Sequence, residues 1–128
     1  MNLPKDLRYT KDHEWVRVKG AEAEVGVTDF AQGELGDVVF VELPQVGASV
    51  TQMKSFGTID AVKTVSDLFA PVSGEVVAVN TDLKGDPALV NQSPYEKGWM
   101  IRIKMANPAE ADVLLNADAY EKVLGAHA

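Results

Sequence analysis

The sequence predicts a mainly β fold, a flattened antiparallel barrel or sandwich with a short helix in its N-terminal half and helices at its C-terminus. Short apolar segments, alternating or β-branched and separated by Gly- and Pro-containing turns, continue to about residue 104. After residue 107 the spacing of apolar residues becomes helical. The 128 residues predict one domain, residues 1–128, with a β core over about 10–104 and a helical tail over about 107–125.

The first half of the β core opens with a predicted hairpin. Residues 14–19 alternate polar and apolar side chains, and residues 23–27 are their predicted partner across a Gly-Ala turn. Thr28 is a predicted N-cap for a short helix over residues 29–35. Residues 38–43 are β-branched and apolar on both faces, which predicts a central strand.

The second half of the core contains further predicted strands, over residues 49–53, 57–62, 65–70, 75–80 and 99–104. Residues 83–87 are predicted to form a polar loop. In the tail, Asn107 and Asn116 are predicted N-caps, Val113 is placed on the apolar side of a helix, and Gly125 is a predicted stop.

Charge and cysteine content exclude several classes of function. Twelve Lys and Arg against nineteen Asp and Glu give a net charge of −7, which argues against nucleic-acid or membrane-surface partners. The chain has no cysteine, which excludes disulfides, thiolate metal sites and cysteine nucleophiles. No signal peptide and no apolar run long enough for a membrane span is recognised. We expect a cytoplasmic monomer.

The residues needed for unaided catalysis are scarce. Only two histidines are present, His13 and His127, so neither a metal site nor a catalytic triad is predicted. Phosphate-binding glycine motifs are absent. A hydrolase built on paired carboxylates is the remaining enzymatic alternative, and no pair of carboxylates stands out.

Lys63 lies between two predicted strands that leave room for only a tight turn, so it should project from the tip of a hairpin. Two interpretations remain open at this point. Either the lysine is an ordinary solvated turn residue, or its amine is the attachment point of a prosthetic group. In the second case the two strands hold the lysine backbone in place while its side chain stays mobile.

Several segments, in matching order, resemble the glycine cleavage H-protein family. They are YTKDHEWV from Tyr9, GVTDFAQGELGDVVFVELP from Gly26, VKTVSDLFAPVSGEV from Val62, Leu89-Val90-Asn91, Pro94-Tyr95 and Gly98-Trp99. The family usually has Glu-Ser-Val-Lys at its modified lysine, where this chain has Asp-Ala-Val-Lys. The resemblance implies a lipoyl-domain-like barrel-sandwich hybrid.

The resemblance also implies the activity, that of a non-catalytic shuttle with lipoate joined by an amide to Lys63. Asp60 and Val62 are then expected to be recognised by the lipoate-attaching enzyme. The expected partners are the pyridoxal-phosphate P-protein, the T-protein, which uses tetrahydrofolate, and the L-protein, a dihydrolipoyl dehydrogenase. The arm would accept an aminomethyl group from glycine decarboxylation, deliver it and be reoxidised. A chain without thiols cannot misdirect disulfide exchange onto itself.

In the family the loaded arm folds back into a cleft, which implies a role for residues near the lysine. Glu14 is the first candidate to meet the ammonium of the cargo, and Asp67 is the second. His13 is a third candidate, although local hydrogen bonding is its favoured role. The alternatives are a biotin carrier, a lipoyl domain of a 2-oxoacid dehydrogenase, and an unmodified β-rich interaction module.

Overall fold

A computed structural model describes residues 2–125 as nine strands and five short helices. In chain order they are β1 (Arg8–Tyr9), β2 (Glu14–Lys19), β3 (Glu22–Val27), α1 (Asp29–Leu35), β4 (Val38–Glu42), β5 (Ser49–Val50), β6 (Ser55–Ala61), β7 (Val65–Phe69), β8 (Gly74–Val79), α2 (Asp82–Gly85), α3 (Leu89–Gln92), β9 (Ile101–Met105), α4 (Ala109–Asp112) and α5 (Ala117–Gly125). His127 lies outside the described residues.

The strands form two antiparallel sheets, a six-stranded sheet in the order β1-β2-β3-β9-β8-β5 and a three-stranded sheet in the order β4-β6-β7. One apolar cluster contains buried side chains of both sheets, among them Val16, Val25, Val41, Ile59 and Leu68. The core therefore joins the two sheets. Within residues 2–125 the strands do not close into a barrel, and the predicted mainly β antiparallel fold is confirmed in its sandwich form.

The first predicted hairpin and helix are confirmed. Strands β2 and β3 pair in the register Glu14↔Val27 to Lys19↔Glu22. Thr28 caps α1, because its Oγ1 accepts a hydrogen bond from the backbone N–H of Ala31 at 3.2 Å.

The prediction that residues 38–43 form a central strand was wrong. Strand β4 pairs only with β6, and a bulge separates Val38 from Phe40. As a result Val39 and Phe40 are 53% and 50% exposed. Apolar side chains on both faces of this segment therefore do not indicate burial on both faces; one face lies on the surface of the protein.

The predicted polar loop at residues 83–87 was also wrong in part, since the first three of these residues belong to α2, and α3 follows. Each helix has four residues, too few for a helical apolar period to be visible in the sequence. Leu83 and Val90 are buried in the core, so tertiary packing stabilises these turns.

The helical tail packs on the outside of the β core, as expected. Tyr9 and Tyr120 stack with ring centroids 4.7 Å apart, within a second apolar cluster. Asn116 caps α5 by accepting a hydrogen bond from Ala119 N–H at 2.8 Å, which confirms that prediction. Val113 is 74% exposed, so its predicted position on an apolar side was wrong.

Candidate functional site

Lys63 lies at the tip of the β6–β7 hairpin. The loop between the strands is residues 62–64, closed by a hydrogen bond of 2.8 Å from Ala61 N–H to the Thr64 carbonyl. The Lys63 side chain is exposed, and no carboxylate of residues 2–125 lies within ion-pair distance of its amine. The amine is therefore accessible from solvent and is not held in a salt bridge by this part of the chain.

The base of this tip is held by the junction between α1 and β4. The backbone N–H of Val62 donates to the carbonyl of Asp37 at 3.0 Å. The stem of Lys63 passes over Gly36, where a Cβ would lie 3.4 Å from the lysine Cε. Gly36 has φ of +76°, a backbone conformation that favours glycine, whereas a Cβ would make only ordinary contact with the stem.

Asn91 of α3 also holds this junction. Its Nδ2 donates to the Gly36 carbonyl at 2.8 Å, and its Oδ1 accepts from Val38 N–H at 2.9 Å. The sequence places Asn91 in a family-like segment but contains no sign of this contact, since its partners lie more than fifty positions away.

A cleft of about 440 Å³ opens beside the hairpin, between the start of β2, α1 and the strands β6 and β7. Its lining includes all three candidates for the arm site: Glu14, Asp67 and His13. The rest of the lining is Asp12, Val27, Phe30, Ala31, Glu34, Leu35, Ile59, Ser66 and Leu68. The cleft therefore combines apolar side chains with an acidic rim.

Glu14 is the buried carboxyl of this cleft, with a residual exposure of 2%. The Thr10 hydroxyl donates to its Oε1 at 2.7 Å, and the Phe69 backbone N–H donates to its Oε2 at 3.3 Å. Burial raises the pKa of Glu14 to about 8, and the two hydrogen bonds oppose the rise only in part. At neutral pH the carboxyl therefore retains its proton in most molecules.

His13 is held by the C-terminal helix. Its Nδ1 lies 2.8 Å from the Tyr120 hydroxyl, and its ring lies 4.8 Å from that of Phe30. The same hydroxyl lies 2.8 Å from Thr28 Oγ1, at the cap of α1. The His13 side chain is therefore hydrogen-bonded to a residue 107 positions away, whereas a local bond was favoured from the sequence. Thr10, Phe30 and Tyr120 were missed as site residues because they lie on separate segments, after β1, in α1 and in α5, and only the fold brings them to the cleft or to His13.

The other predicted residues lie on the hairpin itself. Asp67 is exposed at the rim of the cleft, opposite Thr58 of β6. Val62 is 73% exposed beside Lys63, whereas Asp60 is only partly exposed, between β4 and β7. The structure therefore separates the candidates into a cleft group, Glu14, His13 and Asp67, and a tip group, Asp60 and Val62.

No helix within residues 2–125 has the length and apolar character needed to cross a membrane. The same part of the chain brings together no group of three or more histidine, aspartate or glutamate side chains that could hold a metal ion.

The chain was compared with known proteins. The family model described as glycine cleavage H-protein matches residues 7–127. Glycine cleavage system H proteins of Anoxybacillus flavithermus and Geobacillus kaustophilus are 56% and 57% identical, each over 97% of this chain and 98% of the relative. The crystal structure of a glycine cleavage system H protein from Mycobacterium marinum superposes with a TM-score of 0.88 and 41% identity, over 96% of this chain and 99% of that one. The chain therefore belongs to the glycine cleavage H-protein family.

Proposed function

We propose that this chain is the lipoyl carrier of a glycine cleavage system and that Lys63 is its attachment point. The observation that carries the proposal is the exposed amine of Lys63 on a braced hairpin tip, beside a cleft, in a chain of this family. The residues present fit the group, because a ligase can reach the amine and the cleft has apolar walls for a short alkyl chain.

The hairpin fixes where the arm starts. Two sets of hydrogen bonds restrain the backbone at the tip: Val62 N–H donates to the Asp37 carbonyl, and Asn91 bonds to Gly36 and Val38. The lysine stem above Gly36 remains exposed. When attached, lipoate supplies the dithiolane that accepts and releases the one-carbon cargo. Amide formation removes the charge of Lys63, which lowers the desolvation cost of entering an enzyme tunnel.

Glu14 is proposed to hold a proton at its buried carboxyl while the cleft is empty and to give it up when an ammonium group enters. A cation within a few ångströms favours the carboxylate, so the pKa that burial raises would fall again on loading. Asp67 adds negative charge at the rim, and His13 borders the cleft with its ring anchored on Tyr120. The cleft is thus suited to a short apolar arm that ends in a cation.

We propose that the chain is a shuttle and not itself an enzyme, and that it acts in the cytoplasm. Its proposed partners are the P-protein, the T-protein, the L-protein and the lipoate-attaching enzyme. Delivery by a tether presents each active site with cargo at an effective concentration of order mM. The acidic charge of the chain indicates partner surfaces with basic side chains.

The attachment test compares Lys63→Arg with Lys54→Arg, which changes another exposed lysine in a turn. Each chain is incubated with a purified lipoate-attaching enzyme and lipoate, and its intact mass is measured. We expect one lipoyl group on the wild type and on Lys54→Arg and none on Lys63→Arg, because a guanidinium does not form this amide. Only the first two chains should then support reconstituted glycine cleavage. A lipoyl group on Lys63→Arg, or no addition to the wild type, would contradict the proposal.

The cleft test compares Glu14→Ala with Glu22→Ala, an exposed carboxylate on β3. Both chains should be lipoylated at Lys63. We expect the loaded Glu14→Ala chain to lose its one-carbon cargo faster than the wild type, while the loaded Glu22→Ala chain behaves as the wild type does. Equal lifetimes for the three loaded chains would remove Glu14 from the proposed cleft role.

A further inference from the structure

The outer face of the three-stranded sheet carries apolar side chains that no other part of residues 2–125 covers. The pairing places Phe40 of β4 and Val65 of β7 on either side of Asp60 of β6, so the three share one face. Phe40 is 50% exposed and Val65 is 65% exposed. An aromatic and a β-branched side chain thus flank one carboxylate on an open sheet face.

Two further exposed side chains lie at the end of the sheet nearest the hairpin tip. Val39, at the bulge of β4, is 53% exposed, and Val62, next to Lys63, is 73% exposed. We call Val39, Phe40, Val62 and Val65 the tip patch. These four make up half of the eight large apolar side chains exposed within residues 2–125, so exposure is concentrated around one lysine. Such a concentration is typical of an interaction site.

The surroundings of the tip patch are acidic. Strands β4, β6 and β7 contain no lysine or arginine, and their charged side chains are Glu42, Asp60 and Asp67. Glu42 and Asp67 face Thr58 from the two neighbouring strands, so they form the next row of the same face. A partner that covers the patch would therefore gain from an apolar surface bordered by arginine or lysine.

We propose that the tip patch docks the acyltransferase that attaches the lipoyl group to Lys63, through an apolar surface bordered by basic side chains. This inference rests on the proposed function. In the transfer, unprotonated Nζ attacks the carbonyl carbon of an activated lipoyl donor. The C–N bond forms, the bond from the carbonyl carbon to the leaving group breaks with its electrons on that group, and the proton that Nζ loses passes to the departing group or to water.

The length of the lysine side chain selects this partner. An extended lysine holds Nζ only about 6 Å from its own Cα, by ordinary bond lengths. An acyltransferase must bring its donor to that nitrogen, so the rim of its active site must cover the side chains next to Lys63. The enzymes that act on the far end of a completed arm can react from further away. The tip patch is therefore placed for the attaching enzyme rather than for the others.

The test compares the double variant Phe40→Thr, Val65→Thr with a control, Val18→Thr, Val46→Thr. Threonine is polar and β-branched, so strands tolerate it, and all four positions are exposed. Initial rates of lipoyl transfer by a purified attaching enzyme are measured by intact mass over a range of chain concentrations. We expect KM to rise about tenfold or more for the double variant at unchanged kcat, as for loss of interface anchors. The control should keep the wild-type KM, and circular dichroism should verify the fold of both chains.

Two further arms complete the test. Glu42→Gln should raise KM at low salt and less at high salt, because it removes one of the proposed charge contacts. An unchanged KM for the double variant would overturn the inference while leaving Lys63 as the attachment point. The inference would also be overturned if the double variant kept the wild-type KM for the attaching enzyme but, once lipoylated chemically, bound the P-, T- or L-protein more weakly than the lipoylated wild type does. Absence of transfer to the wild type would instead overturn the proposed function.

Discussion

The buried carboxyl of Glu14 makes the stability of this protein depend on pH. Its ordinary pKa of 4.5 is raised to about 8, chiefly by burial, and Asp12 adds a smaller contribution in the same direction. A rise of this size corresponds to roughly 5 kcal/mol that opposes ionisation in the folded state. Glu14→Gln retains the shape of the side chain and removes the charge, so it isolates this effect.

Whether the free energy of unfolding rises or falls with pH depends on which state, folded or unfolded, binds the Glu14 proton more tightly. Below pH 4.5 the carboxyl is protonated in the folded and in the unfolded chain, and the effect on stability is nil. Between 4.5 and about 8 the unfolded chain releases the proton and the folded chain keeps it. The free energy of unfolding therefore falls by about 1.4 kcal/mol for each pH unit in this window and becomes constant above it.

The glutamine variant should lose this dependence. Its amide oxygen can still accept from the Thr10 hydroxyl, but its amide group cannot replace both acceptors, so the bond from Phe69 N–H is lost at a cost of about 1 kcal/mol at every pH. We expect the variant to be about as stable as the wild type at pH 5, more stable by about 1 kcal/mol at pH 6, and more stable by roughly 3 kcal/mol at pH 8.

The assay is urea unfolding of both chains at intervals from pH 5 to pH 9, followed by circular dichroism. Glu42→Gln, which removes an exposed carboxylate, is the control and should follow the wild type across the range. A stability difference between the wild type and Glu14→Gln that stays constant from pH 5 to pH 8 would refute the argument from burial.

Three further substitutions test the support of the site. Asn91→Ala should lower the free energy of unfolding by about 2 kcal/mol and speed amide exchange at residue 62, because the Gly36 carbonyl and a neighbouring N–H lose their partner. Tyr120→Phe keeps the ring stack but removes the hydroxyl shared with the cap of α1. It should cost about 1 kcal/mol in urea unfolding and perturb the His13 ring signals in NMR spectra. Gly57→Ala should unfold at clearly lower temperature in calorimetry, since its Cβ would collide with the backbone carbonyl of the facing strand β4, whereas Gly33→Ala, with open space around it, should not.

Much of the fold and part of the site follow from local sequence. The β2–β3 hairpin, the Thr28 cap and the tip position of Lys63 were predicted correctly, because each depends on residues adjacent in the chain and on turn or cap chemistry. The edge position of β4 could not be predicted, since an apolar strand has the same composition whether its second face meets a core or a partner protein.

The sequence by itself determined most of the strands, the Thr28 cap, the absence of cysteine and the lysine that projects from a hairpin. Only the tertiary structure decided the chemistry around that lysine. It buries Glu14 so that its pKa rises, places Tyr120 against Thr28 across ninety-two positions, and places Asn91 against Val38 across fifty-three. Burial and hydrogen bonding act through space, so they depend on which distant segments pack together, and the pattern of neighbouring residues does not contain that information.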